Sequence, residues 1–215
     1  FLVKEEKILL MAMEGEDEKE ITTAIKQIIN NCIVSGNIDV NKLPLFDIEY
    51  ILLNLRARSM GDAIKINYTK KGCTEENCKP VEIEIDVNSV EVHKDETHNA
   101  KIELTNNVGI IMKYPDIEMM SKYKGNFVDE KTEDGFGVIL RCIDSIYDEE
   151  NVYSKSDYTP EELQEFVEGF TQDQFKKVEH FFNTLPKMYK DITFNCEKCG
   201  YKENVRLEGL SNFFG

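Results

Sequence analysis

The sequence lacks the features that mark most enzyme classes and membrane-spanning proteins. Its 215 residues include no tryptophan and only three histidines. No GxSxG, HExxH, P-loop or GxGxxG motif is present, and no nucleophile stands beside a recognisable base. No stretch approaches the length of about 18 uncharged apolar residues that a transmembrane helix needs. We therefore predict that the protein is not an enzyme and has no membrane-spanning segment. A hydrolase with an unrecognised carboxylate pair is a further alternative, and it would require a concave pocket with perturbed acids.

Positive charge is also scarce. The chain has 26 Lys and Arg residues against 41 Asp and Glu residues, which gives a formal net charge of −15. Nucleic-acid binding requires a clustered basic surface, so the composition argues against nucleic acid as the main partner. An acidic surface instead keeps a protein soluble and can steer it toward a basic protein. No signal peptide is visible, although the chain begins at Phe1 without a methionine, and we expect some N-terminal sequence to precede it.

Six cysteines are present, and four of them form two widely separated pairs. Cys196 and Cys199 form a CxxC followed by Gly200 and an aromatic residue, which is typical of a zinc knuckle. Cys73 and Cys78 form the second pair, with a looser spacing of four intervening residues. Each pair is flanked by apolar residues that alternate with polar ones, which predicts half-buried strands on both sides. Each pair is therefore predicted to lie at the tip of a β-hairpin.

Four thiolates are the number that tetrahedral zinc binds, so we predict one structural Zn²⁺ held by Cys73, Cys78, Cys196 and Cys199. A site closed by four cysteines leaves no position for a catalytic water, which indicates a structural ion. The ion would close a loop of more than a hundred residues, where a crosslink removes much chain entropy. Two separate thiol pairs are one alternative. Redox or disulfide chemistry is another, but a redox CxxC opens a helix, whereas a strand-like segment follows this one.

The remaining patterns predict an α+β fold, with a helical N-terminal lobe and a C-terminal helix pair around a small antiparallel sheet that carries the split zinc-ribbon-like site. Two capping boxes, at Thr159 and Thr171, start the late helices, whose aromatic stripe is predicted to be core. Another helix is predicted over residues 136–147. A hairpin loop is predicted over residues 91–99, and the two histidines in this loop, His93 and His98, are predicted to be surface residues. The predicted regions are residues 1–61 (helical lobe), 62–114 (β region with the first zinc hairpin), 115–186 (helical) and 187–215 (second zinc hairpin and tail), with 62–87 and 187–209 forming one zinc subdomain.

Three stretches carry a resemblance to a known family: Phe1–Leu10, Phe46–Gly61 and the late cysteine knuckle. In this order they resemble the T4-type phage baseplate hub family, described as baseplate hub subunits or hub assembly chaperones of contractile-tailed phages. In that family the first stretch follows a short N-terminal extension. The resemblance implies no catalytic residues, and the zinc prediction depends on the cysteines alone.

The resemblance implies a structural or chaperone-like assembly role through protein–protein contacts. The partners would be other phage tail and baseplate hub proteins, with a homo-oligomer as a further option. The location would be the host bacterial cytoplasm during assembly, or the baseplate of the virion tail. The helix at Phe46–Gly61, with Arg56 and Arg58, is the predicted contact surface. The alternative function is a zinc-ribbon module that contacts nucleic acid or the host transcription machinery, which would need a basic face and binding that falls steeply with salt.

Overall fold

The computed structural model describes residues 3–14, 17–68, 81–120 and 133–214. The helices of this part are α1 (Val3–Glu14), α2 (Glu18–Cys32), α3 (Leu45–Met60), α4 (Ile117–Met120), α5 (Glu133–Cys142), α6 (Pro160–Glu168), α7 (Gln172–Asn183) and α8 (Ser211–Phe214). The strands are β1 (Ala63–Tyr68), β2 (Val81–Asp86), β3 (Glu91–His93), β4 (Lys101–Glu103), β5 (Gly109–Met112), β6 (Ile143–Tyr147), β7 (Val152–Ser154), β8 (Lys187–Asn195) and β9 (Lys202–Glu208). This mixture of helices and small antiparallel sheets confirms the α+β class.

The chain divides into two compact units. The first unit contains Phe1–Val40, Phe46–His93 and Pro186–Gly215, and the second contains Asn41–Leu45 and Lys94–Leu185. The first unit therefore joins the early part of the chain to its C-terminal segment. The division into four regions made from the sequence stays a prediction.

Both predicted hairpins are present in the first unit. Strands β1 and β2 pair antiparallel, from Ala63 opposite Asp86 to Tyr68 opposite Val81. Strands β8 and β9 pair antiparallel over seven positions, and β3 adds to the other side of β8. The alternating apolar residues of these strands face a shared core, which explains why a period of two was visible in the sequence.

The core of the first unit combines helix α3 with both hairpins. Its buried residues come from α3, β1, β2, the segment between β2 and β3, β8, β9 and α8, and they are Leu53, Ala57, Ile64, Ile85, Val87, Val90, Met188, Leu207 and Phe213. Phe213 is fully buried in this cluster, so helix α8 packs on the core through this residue. Helix α2 begins at the N-cap Asp17, whose carboxylate accepts from the backbone N–H of Lys19 at 2.8 Å, which satisfies a donor that the first helical turn leaves open.

The second unit is a sheet covered by helices. Its four strands lie in the order β4–β5–β6–β7, all antiparallel. Thr159 and Thr171 form the predicted capping boxes of α6 and α7, with Glu162 and Gln174 as their reciprocal partners. The aromatic stripe of these helices packs into the core of this unit, which confirms the prediction that it is core.

One element of the second unit differs from the prediction. The helix predicted over residues 136–147 ends at Cys142, and residues 143–147 form strand β6. Strand β6 lies between β5 and β7, so pairing on both sides outweighs the helical spacing of its apolar residues. The Lys155 ammonium donates to the backbone carbonyls of Leu140 and Arg141, which closes the end of α5 at this point.

The hairpin loop predicted over residues 91–99 is wrong. Strand β3 pairs with β8 in the first unit, whereas β4 pairs with β5 in the second. The segment between β3 and β4 therefore connects two strands of different sheets and does not form a hairpin. Its short polar run resembled a hairpin loop because both flanking strands are only three residues long.

Candidate metal centre and buried ionisable groups

The tip of the β8–β9 hairpin holds the late cysteine pair. Strand β8 ends at Asn195 and β9 begins at Lys202, so Cys196 and Cys199 lie in the connecting turn. The Gly200 N–H donates to the Cys196 carbonyl at 2.8 Å, and the Cys196 N–H donates to the Tyr201 carbonyl at 2.9 Å. These bonds fold the chain back behind the two thiols, as a metal knuckle requires.

Gly200 is the residue that permits this turn. Its φ is +69°, in the left-handed region that favours glycine. The Cys196 side chain is buried and the Cys199 side chain is half-buried. Two thiols in one turn, one of them shielded from water, suit a thiolate site for a soft metal such as zinc.

The early cysteine pair, Cys73 and Cys78, lies outside the described residues. The strands that lead to this pair are described, and Tyr68 and Val81 are the last paired residues before it. Within the described part of the chain, no group of three or more His, Cys, Asp or Glu side chains is arranged to hold a metal ion. The four-cysteine site therefore remains a prediction.

The two hairpins contact each other at the strand ends that lead into their connecting segments. Tyr68, at the end of β1, packs edge-on against Phe194 of β8 with ring centroids 4.9 Å apart. The Tyr68 hydroxyl also donates to the Glu203 carboxylate of β9 at 3.4 Å. Phe194 lies two residues before Cys196, and Tyr68 lies five residues before Cys73. The contact thus joins the ends from which both cysteine pairs extend, which sequence spacing alone could not show.

Glu49, on helix α3, is an ionisable group that the sequence did not single out. Its carboxylate lies at the turn between β9 and α8 and accepts a hydrogen bond from the Leu210 N–H. Burial raises the pKa of Glu49 to about 7, the Leu210 bond lowers it in part, and the nearby Glu208 charge raises it. Helical periodicity placed residue 49 on α3 but gave no sign of this environment, because Leu210 is distant in sequence.

His98 lies in the core of the second unit, which corrects the prediction of a surface histidine. It is 8 % exposed, its ring stacks near Tyr114 and Phe181, and its Nδ1 lies 2.9 Å from Thr184 Oγ1. The Thr184 hydroxyl donates to the His180 carbonyl at 2.6 Å. The hydroxyl has a single proton, so it accepts from a protonated Nδ1 of His98. His93 is exposed, as predicted, and stacks on Tyr189 with ring centroids 4.0 Å apart.

The buried histidine is not arranged for catalysis. Among the described residues, its Nε2 has no hydrogen-bond partner and is shielded from solvent. Burial lowers the pKa of His98, and the positive charge of Lys94 lowers it further. A neutral imidazole enclosed by two aromatic rings is a core group rather than a general base that reaches a substrate.

Helix α3, the predicted contact surface, is mainly a core element. Ile48, Leu52, Leu53 and Ala57 are buried along its length. Arg56 is half-buried, and its Nε is shielded from solvent. Arg58 is exposed. Arg56 is therefore not the freely exposed side chain that the sequence indicated, and its replacement would disturb the fold as well as any contact.

The chain is a two-unit α+β protein with a cysteine knuckle on a hairpin and buried groups that serve the core. No helix in the described part is long and apolar enough to cross a membrane. The chain belongs to the T4 bacteriophage base plate protein family, whose model matches residues 1–215. No curated protein and no solved structure shows significant similarity to it.

Family membership confirms the base plate part of the predicted resemblance. The protein has a structural role in the phage tail base plate, and other base plate proteins are its partners. A structural family of this kind is ordinarily non-enzymatic.

Proposed function

We propose that the protein is a hub component or hub-assembly factor of a contractile-tail base plate, acting by protein–protein contacts on a fold stabilised by structural zinc. The family match over residues 1–215 carries the base plate assignment. The hub assignment depends on the stretches Phe1–Leu10 and Phe46–Gly61. Assembly would take place in the host bacterial cytoplasm, with the protein bound to hub proteins or to a second copy of itself.

The zinc part of the proposal is supported by the packing of the two hairpins. The Tyr68–Phe194 contact brings the end of β1 beside the end of β8. A residue of extended chain spans at most about 3.6 Å, so five residues from Tyr68 give Cys73 enough reach to approach Cys196. When bound, zinc would supply a tetrahedral crosslink among the four thiolates. The ligands would be Cys73 and Cys78 on one hairpin and Cys196 and Cys199 on the other.

Elemental analysis tests the metal. Protein purified under reducing conditions is expected to contain one zinc per chain, and Cys196→Ser or Cys73→Ser is expected to lose it together with a large part of the thermal stability. Cys32→Ser is the matched control, because Cys32 lies on helix α2 and outside the predicted ligand set. Metal-free wild-type protein, or zinc retained by both Cys196→Ser and Cys73→Ser, would contradict the proposed site.

Co-purification tests the hub role. The tagged chain is expected to form a stoichiometric complex when expressed with a hub protein of the same phage. Mass spectrometry of purified virions then distinguishes a hub component from a hub-assembly factor, because a component is retained in the tail and an assembly factor is not. A chain that binds no hub protein, but binds DNA with an affinity that falls steeply with salt, would favour the nucleic-acid alternative.

A further inference from the structure

Helix α6 carries an apolar groove at the surface of the second unit. The groove has a volume of about 390 Å³ and an apolar floor formed by Ile146, Tyr158, Leu163 and Phe166. Its remaining lining residues are two carboxylates, Glu162 and Glu165. The groove therefore offers an apolar floor with an acidic rim and no cation.

A second groove adjoins the first along the same helix. It has a volume of about 440 Å³, and its aromatic lining is Phe136, Phe170 and Phe175. Phe166 of the first groove and Phe170 of the second are in edge-to-face contact, with ring centroids 5.1 Å apart. The two grooves, which together form the α6 surface, can thus receive two apolar anchors from one bound segment.

The charges around the α6 surface are mainly negative. Helix α6 contains four glutamates and no lysine or arginine. Glu168 and Glu179 line the second groove together with Lys176, which is paired to Asp173 at 3.5 Å. A partner that fills these grooves therefore meets carboxylates on both sides.

Two of these glutamates lie where a helix disfavours them. Glu165 and Glu168 occupy the last turn of α6, next to the negative end of the helix dipole. Glu165 is exposed, and within the described part of the chain its carboxylate has no hydrogen bond or ion pair. Glu168 accepts from the Gln164 amide at 2.7 Å. A cation placed here would be attracted by the carboxylates and by the end of the helix together.

We propose that the α6 surface binds a cationic amphipathic segment of another base plate protein. Apolar side chains of that segment occupy the two grooves, and its Lys or Arg side chains face Glu165 and Glu168. This inference rests on the proposed function, because it takes a base plate protein as the partner. The large apolar anchors supply most of the affinity and the flanking charges supply orientation and selectivity, as in other helix-in-groove complexes.

Charge reversal at two positions of α6 tests the proposal. Each base plate protein of the phage that encodes this chain is purified, and the dissociation constant of its complex with the full chain is measured by calorimetry. Glu165→Lys is expected to weaken the complex about tenfold or more. Glu161→Lys makes the same change of charge on the same helix but outside both grooves, and it is expected to leave the affinity unchanged.

Thermal melting of the free chain separates a binding effect from damage to the fold. Glu165→Lys places a cation in the last turn of α6, so its melting temperature is expected to stay the same or rise. Glu161→Lys places a cation in the first turn, so its melting temperature is expected to fall slightly. A variant that binds more weakly while it melts no earlier identifies a contact residue.

A photo-crosslinker identifies the bound segment. Benzoylphenylalanine in place of Phe166 is expected to capture a peptide of the partner with an apolar residue and Lys or Arg within one helical turn. Reversing that partner charge to Glu is expected to restore affinity to Glu165→Lys.

A base plate complex whose affinity Glu165→Lys leaves unchanged would overturn the inference while the proposed function stands. Capture of a second copy of this chain would overturn it as well. If no base plate protein binds the wild-type chain, the proposed function fails and the inference with it.

Discussion

Glu49 and His98 are ionisable side chains whose surroundings disfavour their charged forms. Burial raises the pKa of Glu49 to about 7 and lowers the pKa of His98. The two shifts have opposite consequences for stability, because the folded first unit favours a protonated carboxyl and the folded second unit favours a neutral imidazole. Each group can therefore be tested by a neutral replacement.

Replacement of Glu49 by glutamine is expected to stabilise the protein at alkaline pH. The folded pKa lies above the unfolded value of 4.5. Protonation therefore favours the folded state fully below pH 4.5, and this contribution is lost as the pH rises through about 7. Glutamine keeps an acceptor for the Leu210 N–H but needs no proton. Chemical unfolding is expected to show a gain of about 1–3 kcal/mol for Glu49→Gln at pH 8 and little gain at pH 4.5.

The matched control for this prediction is Glu91→Gln, at an exposed position of β3 in the same unit. Its unfolding free energy is expected to differ little from that of the wild-type chain at both pH values. A gain at pH 8 that is equal for both variants would reflect the lower net negative charge rather than the environment of Glu49.

His98→Phe is expected to reduce the loss of stability in mild acid. The pKa of His98 in the folded protein lies below the usual histidine value of about 6.5. The neutral ring therefore contributes fully to the free energy of unfolding above about pH 6.5. This contribution is lost as the pH falls through the folded pKa. Phenylalanine keeps the stacking on Tyr114 and Phe181, and the Thr184 hydroxyl still donates to the His180 carbonyl. Urea unfolding at pH 7 and pH 5 measures the difference.

The exposed His93 provides the comparison for this experiment. His93→Phe is expected to retain the wild-type difference in unfolding free energy between pH 7 and pH 5. If both variants behave alike, the acid sensitivity arises from other groups.

The burial of His98 could not be predicted from the sequence. The residues next to it are polar, and the groups that enclose it, Thr184 and Phe181, come from a distant helix and its cap.

The elements that were predicted correctly are those whose signal is local. Alternating apolar residues located β1, β2, β8 and β9, and capping residues located the starts of α6 and α7. Strand β6 was missed because its pairing partners, β5 and β7, decide its conformation. The Cys196–Cys199 knuckle was visible as a motif, whereas the packing of Tyr68 on Phe194 depends on two hairpins that are far apart in the chain.

Gly109, on β5, has no side chain, and this allows β4 and β6 to lie close to it in the second unit. A Cβ atom at this position would lie 2.3 Å from the Tyr147 ring and 2.4 Å from the Ile102 carbonyl oxygen. The carbonyl belongs to the backbone of β4, which pairs with β5, so it cannot move away without disturbing the sheet. Gly109→Ala is therefore expected to lower the unfolding free energy by about 2 kcal/mol or more.

Gly169→Ala is the control for this prediction, and both variants can be compared by urea unfolding. At Gly169 an added Cβ would make contacts of 3.4 Å, which are ordinary van der Waals distances, and the φ of −77° suits any residue. Its change in unfolding free energy is expected to stay within about 0.5 kcal/mol. Equal effects of the two substitutions would show that the strand contacts at Gly109 relax more easily than the distances indicate.

At the scale of the molecule, the two units have separate apolar cores. Buried residues of α3, both hairpins and α8 form the core of the first unit. Buried residues of β4, β5, β6 and helices α4 to α7 form the core of the second. The predicted zinc site lies at the ends of the two hairpins, so it belongs to the first unit alone. Removal of the metal should thus affect the two units unequally.

Hydrogen exchange after chelation tests this inequality. The proposed crosslink closes a loop of more than a hundred residues, between Cys78 and Cys196, and in the chain-entropy model such a closure contributes about 4–5 kcal/mol. Incubation with a chelator under reducing conditions is expected to remove protection from the amides of β1, β2, β8 and β9. Amides of β5 and β6 should keep their protection, because their core contains none of the proposed ligands. The same treatment of Cys196→Ser serves as the control and should change nothing further. Loss of protection in both units alike, or in neither, would show that zinc does not hold the hairpins together.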